Sequence, residues 1–227
     1  MSYVITVPTL PSVEVRGTHD RFPVRRIFCV GRNYAAHARE MGNDDREPPF
    51  FFTKPADAVV ANGVAVPYPP RTSNFHHEAE LVVALGSGGA NVHVAKANSL
   101  IYGYAVGIDL TRRDLQTEAR DNGKPWDTSK GFDHSAPIGA IRPVSSGGIL
   151  ENARIWLSVN GKIRQDANIA DMTWKVPEII AELSTLFEIA GGDLIYTGTP
   201  AGVGPLVRGD AIEARIDGLD VLTTKIV

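Results

Sequence analysis

Short runs of β-branched, aromatic and aliphatic residues recur along the chain, and they predict a domain built mainly of β-strands. In the N-terminal half, these runs occupy residues 26–30, 50–53, 76–85 and 101–109. In the C-terminal half, Asn160-Gly161 and Asp217-Gly218 each separate two apolar runs. This pattern is typical of a β-hairpin with a two-residue turn, so we expect hairpins over residues 155–165 and 211–227.

The patterns that predict helices are fewer than those that predict strands. Apolar residues repeat at helical spacing over residues 176–189, which predicts one helix that faces the core. A second helix is expected over residues 33–41, which are rich in alanine. A third is expected over residues 111–121, where Thr111 and Asp114 have the spacing of a capping box.

These elements predict one α+β domain that is mostly β, with a few short helices among the strands. The chain has 227 residues, which suits one large domain. Residues 1–24 contain prolines and have no sustained helical period, so we expect an extended N-terminal arm there. The domain itself is expected over residues 25–227.

Composition narrows the classes of function. Hydrophobic residues make up 43% and charged residues 22%, which excludes a disordered or collagen-like chain. A net charge of −3 provides no strong positive field, so we expect neither a nucleic-acid nor a membrane partner. The N-terminus does not resemble a secretory signal, and no apolar run reaches the roughly 20 residues of a membrane span. Cys29 is the single cysteine and has no intrachain partner, so we expect a cytoplasmic protein.

Two glutamates in the run at residues 76–85 suggest a metal site. Glu78 and Glu80 would share one face of a strand, roughly 6 to 7 Å apart. Burying two carboxylates together is costly unless a cation compensates them. Asp109, at the end of the run at residues 101–109, is a candidate third ligand, and an all-oxygen set favours Mg²⁺, Mn²⁺ or Ca²⁺ over Zn²⁺. The alternatives are a solvated glutamate pair on an edge strand and an aspartate that caps a helix.

Other residues are candidates for acid–base chemistry and for binding. His37 and Glu40 lie three positions apart, so the carboxylate could orient the imidazole as a general base. Lys130 lies near Trp126 and Phe132, which could desolvate it. Considered alone, these residues favour a surface His–Glu pair and a solvated lysine. The run at residues 197–204 offers hydroxyl groups and backbone amides for a substrate carboxylate.

Several motifs with these residues occur in a fixed order. They are Cys29-Val30-Gly31-Arg32-Asn33-Tyr34, His37-Ala38-Arg39-Glu40, Lys54-Pro55, His77-Glu78-Ala79-Glu80, Gly107-Ile108-Asp109, Arg113-Asp114-Leu115-Gln116, Lys130 and residues 197–204. From about residue 26 to the C-terminus, the chain resembles the fumarylacetoacetate hydrolase family, in its acylpyruvate-hydrolase branch. The resemblance implies a layered β-roll with a few short helices, usually assembled as a homodimer.

The resemblance also implies roles for single residues. It assigns Mg²⁺ or Mn²⁺ to Glu78, Glu80 and Asp109, and a water-activating dyad on a mobile lid to His37 and Glu40. It implies that Lys130 contacts the metal-bound substrate. The positions that it assigns to the pocket or to steadying the lid are Lys54, Arg113, Gln116 and Thr199.

The implied reaction is hydrolysis of the C3–C4 bond of a 2,4-dioxo acid. Fumarylpyruvate, split into fumarate and pyruvate in gentisate-type aromatic catabolism, is the expected substrate. One alternative keeps the site but decarboxylates an oxaloacetate-like acid or interconverts its keto and enol forms. Another is a metal-binding module without catalysis. Replacing His37 by alanine would separate hydrolysis from the first alternative.

Overall fold

The computed structural model describes residues 2–34 and 47–227. Over these ranges the protein is mostly β with a few short helices, as the sequence predicts. The strands are β1 Ser12–Glu14, β2 Arg21–Pro23, β3 Arg26–Gly31, β4 Phe50–Lys54, β5 Val59–Ala61, β6 Phe75–His77, β7 Ala79–Leu85, β8 Ile101–Ile108, β9 Thr111–Arg112, β10 Ala136–Ile138, β11 Arg142–Pro143, β12 Arg154–Val159, β13 Lys162–Asn168, β14 Asp193–Tyr196, β15 Gly204–Leu206, β16 Ala211–Ile216 and β17 Leu222–Lys225. The α-helices are α1 Val94–Ala97, α2 Arg113–Asp121, α3 Asp127–Lys130, α4 Val144–Gly147 and α5 Val176–Leu186. Short 3₁₀ helices lie at Ala56–Ala58, Asn98–Leu100 and Ile169–Asp171.

An eight-stranded sheet organises the fold. Its order is β4-β3-β14-β7-β8-β10-β5, and β11 also pairs with β8. Strand β14 runs parallel to β3 and antiparallel to β7, and β7 runs antiparallel to β8. A four-stranded sheet, β13-β12-β16-β17, and a three-stranded sheet, β15-β6-β9, complete the main body. Strand β7 is therefore central, and all its residues are buried.

Both faces of β7 contribute to apolar clusters. Leu81 and Val83 belong to the larger cluster, which also includes the buried face of α5. Val82 and Ala84 point the other way and belong to a second cluster with Phe22 of β2. A strand that is covered on both faces needs apolar residues at successive positions. This explains why the run after Glu80 is continuously hydrophobic.

The end of β8 is fixed by close packing at Gly107. A side chain there would overlap Val82 and the ring of Tyr196. The Tyr196 hydroxyl group donates to the Ala136 and Pro137 carbonyls at 3.4 and 3.3 Å. Because Gly107 lies two residues before Asp109, this packing also sets the position of that carboxylate.

The two predicted hairpins are confirmed. Strands β12 and β13 pair around Asn160-Gly161, and β16 and β17 pair around Asp217-Gly218. Asn160 and Gly161 both have positive φ, 52° and 74°, as a type I′ turn requires. The predicted helix at residues 176–189 is present as α5 but ends at Leu186, because the backbone at Phe187 is extended.

The predicted strand at residues 76–85 is corrected. It is two strands, β6 and β7, which belong to different sheets, and Glu78 lies between them. The alternation of apolar and polar residues could not show this break. Glu78 and Glu80 are two positions apart, so they fit the alternation whether or not the strand is continuous.

The predicted helix start at Thr111 is also corrected. Thr111 is in strand β9, and α2 begins at Arg113 without a side-chain cap. The Asp114 carboxylate instead accepts hydrogen bonds from the Thr72 hydroxyl group at 2.6 Å and the Ser73 amide at 2.9 Å. It therefore ties α2 to the segment before β6.

Part of the N-terminal segment forms a hairpin in which β1 pairs with β2. Val13 and Phe22 of this hairpin are buried in the second cluster. The domain boundary between residues 24 and 25 stays a prediction. The predicted helix at residues 33–41 falls almost entirely outside the described residues.

Within residues 2–34 and 47–227, none of the helices has the length and apolar character needed to cross a membrane.

Candidate functional site

Three acidic residues meet where β7 and β8 pair. Glu78 precedes β7, Glu80 is its second residue, and Asp109 directly follows β8. Glu80 lies opposite Gly107 in the ladder, and the Asp109 amide donates to the Glu78 carbonyl at 2.8 Å. The antiparallel pairing therefore brings the end of β8 to the start of β7.

The three carboxylates form one buried cluster. Each can offer a ligand atom, and these atoms all lie within 4.8 Å of one another. The residues Glu78, Glu80 and Asp109 are only 5%, 2% and 1% exposed. The burial rules out a solvated glutamate pair, and α2 begins at Arg113, so Asp109 does not cap that helix.

Lys130 lies against this cluster and is itself buried, so the interpretation of a solvated lysine is wrong. Its Nζ donates to Asp109 Oδ2 at 2.6 Å, to Glu78 Oε2 at 2.8 Å and to the Thr111 hydroxyl group at 2.7 Å. Burial by itself lowers the pKa of Lys130, but the Asp109 and Glu78 carboxylates outweigh burial and raise it. The lysine is held as an ammonium ion.

The two glutamates have opposite electrostatic environments. Burial tends to raise the pKa of Glu78, but contacts with Lys130 and Arg113 outweigh it and hold that pKa below its ordinary value. Burial raises the pKa of Glu80 well above its ordinary value, and repulsion from Asp109 and Glu78 raises it further. Glu80 is therefore the carboxyl group that the cations of the protein compensate least.

The cluster fits a hard divalent cation. Its donors are all carboxylate oxygens, which suit Mg²⁺ and Mn²⁺. Asp109 Oδ1 is buried without a hydrogen-bond partner, although Lys54 Nζ lies 2.8 Å away as an ion pair. Because Glu80 is buried beside two other carboxylates, one more positive charge would be favourable there.

The loop after β14 supports Glu80. The first amides of this loop bond to the protein itself, so they are not free to bind a substrate carboxylate. The Gly198 amide donates to Glu80 Oε2 at 2.9 Å. The Thr199 hydroxyl group donates to the Ala79 carbonyl and accepts from Gln165, both at 2.8 Å. At Gly198, φ is 97°, a conformation that favours glycine.

Asn33 ties this loop to the rest of the site. Its Nδ2 donates to the Thr197 carbonyl at 2.8 Å and to the Trp174 carbonyl at 3.0 Å. Its Oδ1 accepts from the Trp174 amide at 2.7 Å. The buried amide side chain thus links β3, the loop after β14 and the segment before α5.

A cavity of about 220 Å³ opens onto the cluster. The predicted site residues that line it are Glu78, Glu80, Asp109, Arg113, Gln116, Lys130 and Thr199. Arg113 donates to Glu78 Oε1 and to the Gln116 side chain. His37 and Glu40, with the predicted lid, lie outside the described residues.

Lys54 takes a different position from the one expected of a pocket residue. Its side chain is fully buried, and it is absent from the described lining of the cavity. Its Nζ pairs with Asp109 and donates to the carbonyls of Leu110 and Lys130. Lys54 therefore stabilises the cluster through Asp109 and not from the cavity, and its predicted contact with substrate stays a prediction.

Sequence reasoning missed two arginines that line the cavity, Arg32 and Arg120. Arg120 had a signal, because it lies seven residues after Arg113 and so on the same face of α2. Arg32 had no local signal. Its φ of 57° is unusual for a residue other than glycine and directs the chain out of β3.

Comparison with known proteins identifies the family of this chain. The family described as fumarylacetoacetate (FAA) hydrolase, C-terminal, matches residues 26–227, so the chain belongs to the FAA hydrolase family. A fumarylpyruvate hydrolase from Ralstonia sp is 50% identical over 173 residues, which cover 76% of this chain and 90% of that protein.

Two further relatives bear on the activity. The crystal structure of fumarylpyruvate hydrolase from Pseudomonas aeruginosa, in complex with Mn²⁺ and pyruvate, is 48% identical to this chain. It matches with a TM-score of 0.97 over 100% of this chain and 99% of that one. The mitochondrial oxaloacetate tautomerase FAHD1 of Arabidopsis thaliana is 41% identical over 194 residues, which cover 86% of this chain and 87% of that protein.

Proposed function

We propose that this protein is a metal-dependent hydrolase that cleaves the C3–C4 bond of an acylpyruvate, with fumarylpyruvate as substrate and fumarate and pyruvate as products. One observation carries the proposal: Glu78, Glu80 and Asp109 converge with Lys130, and all four line one cavity. The sequence identity to the Ralstonia fumarylpyruvate hydrolase and the full-length structural match to the Pseudomonas enzyme support the choice of substrate.

The buried triad would hold Mg²⁺ or Mn²⁺, as the Mn²⁺ complex of the Pseudomonas relative supports. A divalent cation held there would polarise the oxygens of a bound 2-oxo acid and orient it. Lys130 is an ammonium ion at the same place, so it would stabilise negative charge that develops on the pyruvate part. Arg113 and Gln116 would position the substrate from the adjacent face of α2.

His37 is the proposed general base, oriented by Glu40. His37 would take a proton from water as the water oxygen attacks the C4 carbonyl carbon. The C3–C4 bond then breaks, its electron pair goes to the pyruvate part, and a proton returns to C3. The spacing of the two residues and the family motif that contains them support these roles.

Three broader expectations are proposals as well. The family resemblance supports a homodimer and a place in gentisate-type catabolism. The single cysteine is consistent with a cytoplasmic location.

The alternative function is tautomerisation or decarboxylation of oxaloacetate at the same site. The identity to the Arabidopsis oxaloacetate tautomerase favours it as the second candidate. It differs from hydrolysis in needing no attacking water. His37→Ala should therefore abolish cleavage of fumarylpyruvate and leave turnover of oxaloacetate intact, whereas equal loss of both would contradict the dyad.

The decisive assay ranks kcat/KM for fumarylpyruvate, maleylpyruvate, acetylpyruvate and oxaloacetate with Mg²⁺ or Mn²⁺. We expect fumarylpyruvate to rank first. Glu78→Gln should lose both cation affinity and turnover, whereas Glu118→Gln, an exposed change on α2, should keep both. A higher rank for oxaloacetate would favour the alternative, and no turnover of any substrate would favour a non-catalytic metal-binding module.

A further inference from the structure

One face of α2 carries polar side chains along the whole cavity. Arg113, Gln116, Thr117 and Arg120 lie at positions i, i+3, i+4 and i+7, and all four line it. Arg113 contacts Glu78 of the buried triad. Arg120 lies two turns further along, about 10 Å away at a rise of 1.5 Å per residue. The face therefore runs from the triad toward the outer part of the cavity.

The charges in the cavity are unevenly distributed. Among the described lining residues, every carboxylate belongs to the triad, and Lys130 and Arg113 contact these carboxylates directly. The guanidinium group of Arg32, which also lines the cavity, lies 5.6 Å from the centroid of the Phe50 ring. Arg120 instead pairs with its exposed chain neighbour Asp121, through Nε and one terminal nitrogen at 2.9 Å, and its own side chain is 42% exposed. A guanidinium group has five N–H donors, so this contact leaves donors for a ligand.

The cavity also has an apolar wall. Phe52 and Trp126 line it, and their ring centroids are 5.8 Å apart. A ligand that fits has an oxygen-rich head at the triad, an unsaturated or apolar middle, and an anionic end near Arg120. An extended seven-carbon diacid spans roughly 7.5 Å between its end carbons, because each of its six bonds of about 1.5 Å advances the zigzag chain by about 1.25 Å. A long arginine side chain can close the remaining distance.

We propose that Arg120 is the binding residue for a second, distal carboxylate, so that the cavity selects acylpyruvates whose acyl group ends in a carboxylate. This inference rests on the proposed function, since it assumes that the 2-oxo acid end of the ligand lies at the triad. It adds the residue that separates a fumaryl group from an uncharged acyl group. Arg120 touches neither the triad nor the C3–C4 bond, so it acts on specificity rather than on bond cleavage.

Binding of two stable probes tests the proposal without any turnover. The probes are 2-oxoheptanedioate, which has a distal carboxylate, and 2-oxoheptanoate, which has a methyl group there. Neither has the 4-oxo group that the proposed reaction needs. Calorimetry with Mn²⁺-loaded protein should show that the diacid binds about ten-fold more tightly, as expected for a charge-assisted contact at a partly exposed site.

Arg120→Gln should abolish this preference, and Arg120→Lys should keep part of it. Lys124→Gln is the matched control, because Lys124 is an exposed cation just after α2 and does not line the cavity. It should leave the preference unchanged. A preference that survives Arg120→Gln, an equal loss for both probes, or no preference in the unchanged protein would each overturn the proposal.

Kinetics supply an independent readout. Because the distal contact is made equally in the bound substrate and in the transition state, Arg120→Gln should raise KM for fumarylpyruvate about ten-fold with little change in kcat. Kinetics with acetylpyruvate, which has no distal carboxylate, should not change. If the unchanged protein does not cleave fumarylpyruvate, the proposed function fails, and the comparison of the two probes still decides the role of Arg120.

Discussion

Replacing Glu80 by glutamine tests two effects of this carboxylate: its repulsion from the neighbouring carboxylates in the metal-free protein, and its contribution to binding a cation. Glu80 is buried beside two other carboxylates, and its pKa is raised by burial and by their repulsion. Glutamine keeps the shape and can still accept the hydrogen bond from the Gly198 amide. We expect Glu80→Gln to stabilise the metal-free protein and to remove the stabilisation that a divalent cation provides.

The size of the effect follows from the distances. Two like charges 4.8 Å apart repel each other by about 3.5 kcal/mol at an effective dielectric constant of about 20. Glu80 faces two such charges, Glu78 and Asp109, and attraction to Lys130 offsets roughly one of them. Without metal, the free energy of unfolding should therefore rise by up to about 3.5 kcal/mol near neutral pH.

Urea unfolding in EDTA and in excess Mn²⁺ measures both effects. Mn²⁺ at 100 times its Kd should stabilise the unchanged protein by about 2.7 kcal/mol, and it should stabilise the Glu80→Gln variant by about zero. Glu188→Gln, a change at an exposed glutamate, is the control and should alter neither value. If the Glu80→Gln variant is less stable than the unchanged protein in EDTA, or still responds to Mn²⁺, the electrostatic reasoning is wrong.

Three further predictions test how the site is positioned. Gly107→Ala should lower the free energy of unfolding by about 1 to 3 kcal/mol in urea titrations, because the new methyl group overlaps Val82. Asn33→Ala should cost at least about 2 kcal/mol in the same assay, because it leaves buried backbone groups without partners. Burial tends to raise the pKa of Asp114, but hydrogen bonds from Thr72 and nearby amides outweigh it and lower the pKa. The ionised form therefore stabilises the fold above the unfolded value of 3.8, and the stability advantage over Asp114→Asn should shrink as the pH falls below that value.

The sequence predicts most of the strands and the acidic cluster because these depend on local pattern. Alternation along β7 shows which residues share a face, and the Asn-Gly and Asp-Gly pairs determine both C-terminal hairpins. The apolar run of β8 ends at Asp109, so the third carboxylate could be found without knowing which strands pair.

Other features depend on contacts between distant segments, and local pattern does not report them. Lys130 reads as a solvated lysine until α3 is packed against β4 and β9, which places its ammonium group among three oxygen acceptors. The break at Glu78 reflects a change of sheet partner, from β9 and β15 to β8 and β14. Thr111 and Asp114 have the spacing of a capping box, but in the folded chain Asp114 accepts a hydrogen bond from Thr72 instead.

The distribution of cations around the triad explains how one site can both fold and accept a metal. Lys130 and Arg113 contact Glu78, and Lys130 and Lys54 contact Asp109. Within the described ranges, Glu80 receives a backbone amide but no lysine or arginine at ion-pair distance. Two of the three carboxylates are thus compensated by the chain itself, which limits the cost of burying them. Glu80 is the carboxyl group left uncompensated, so the attraction for a divalent cation is concentrated on the side of the triad that the protein's own cations do not contact.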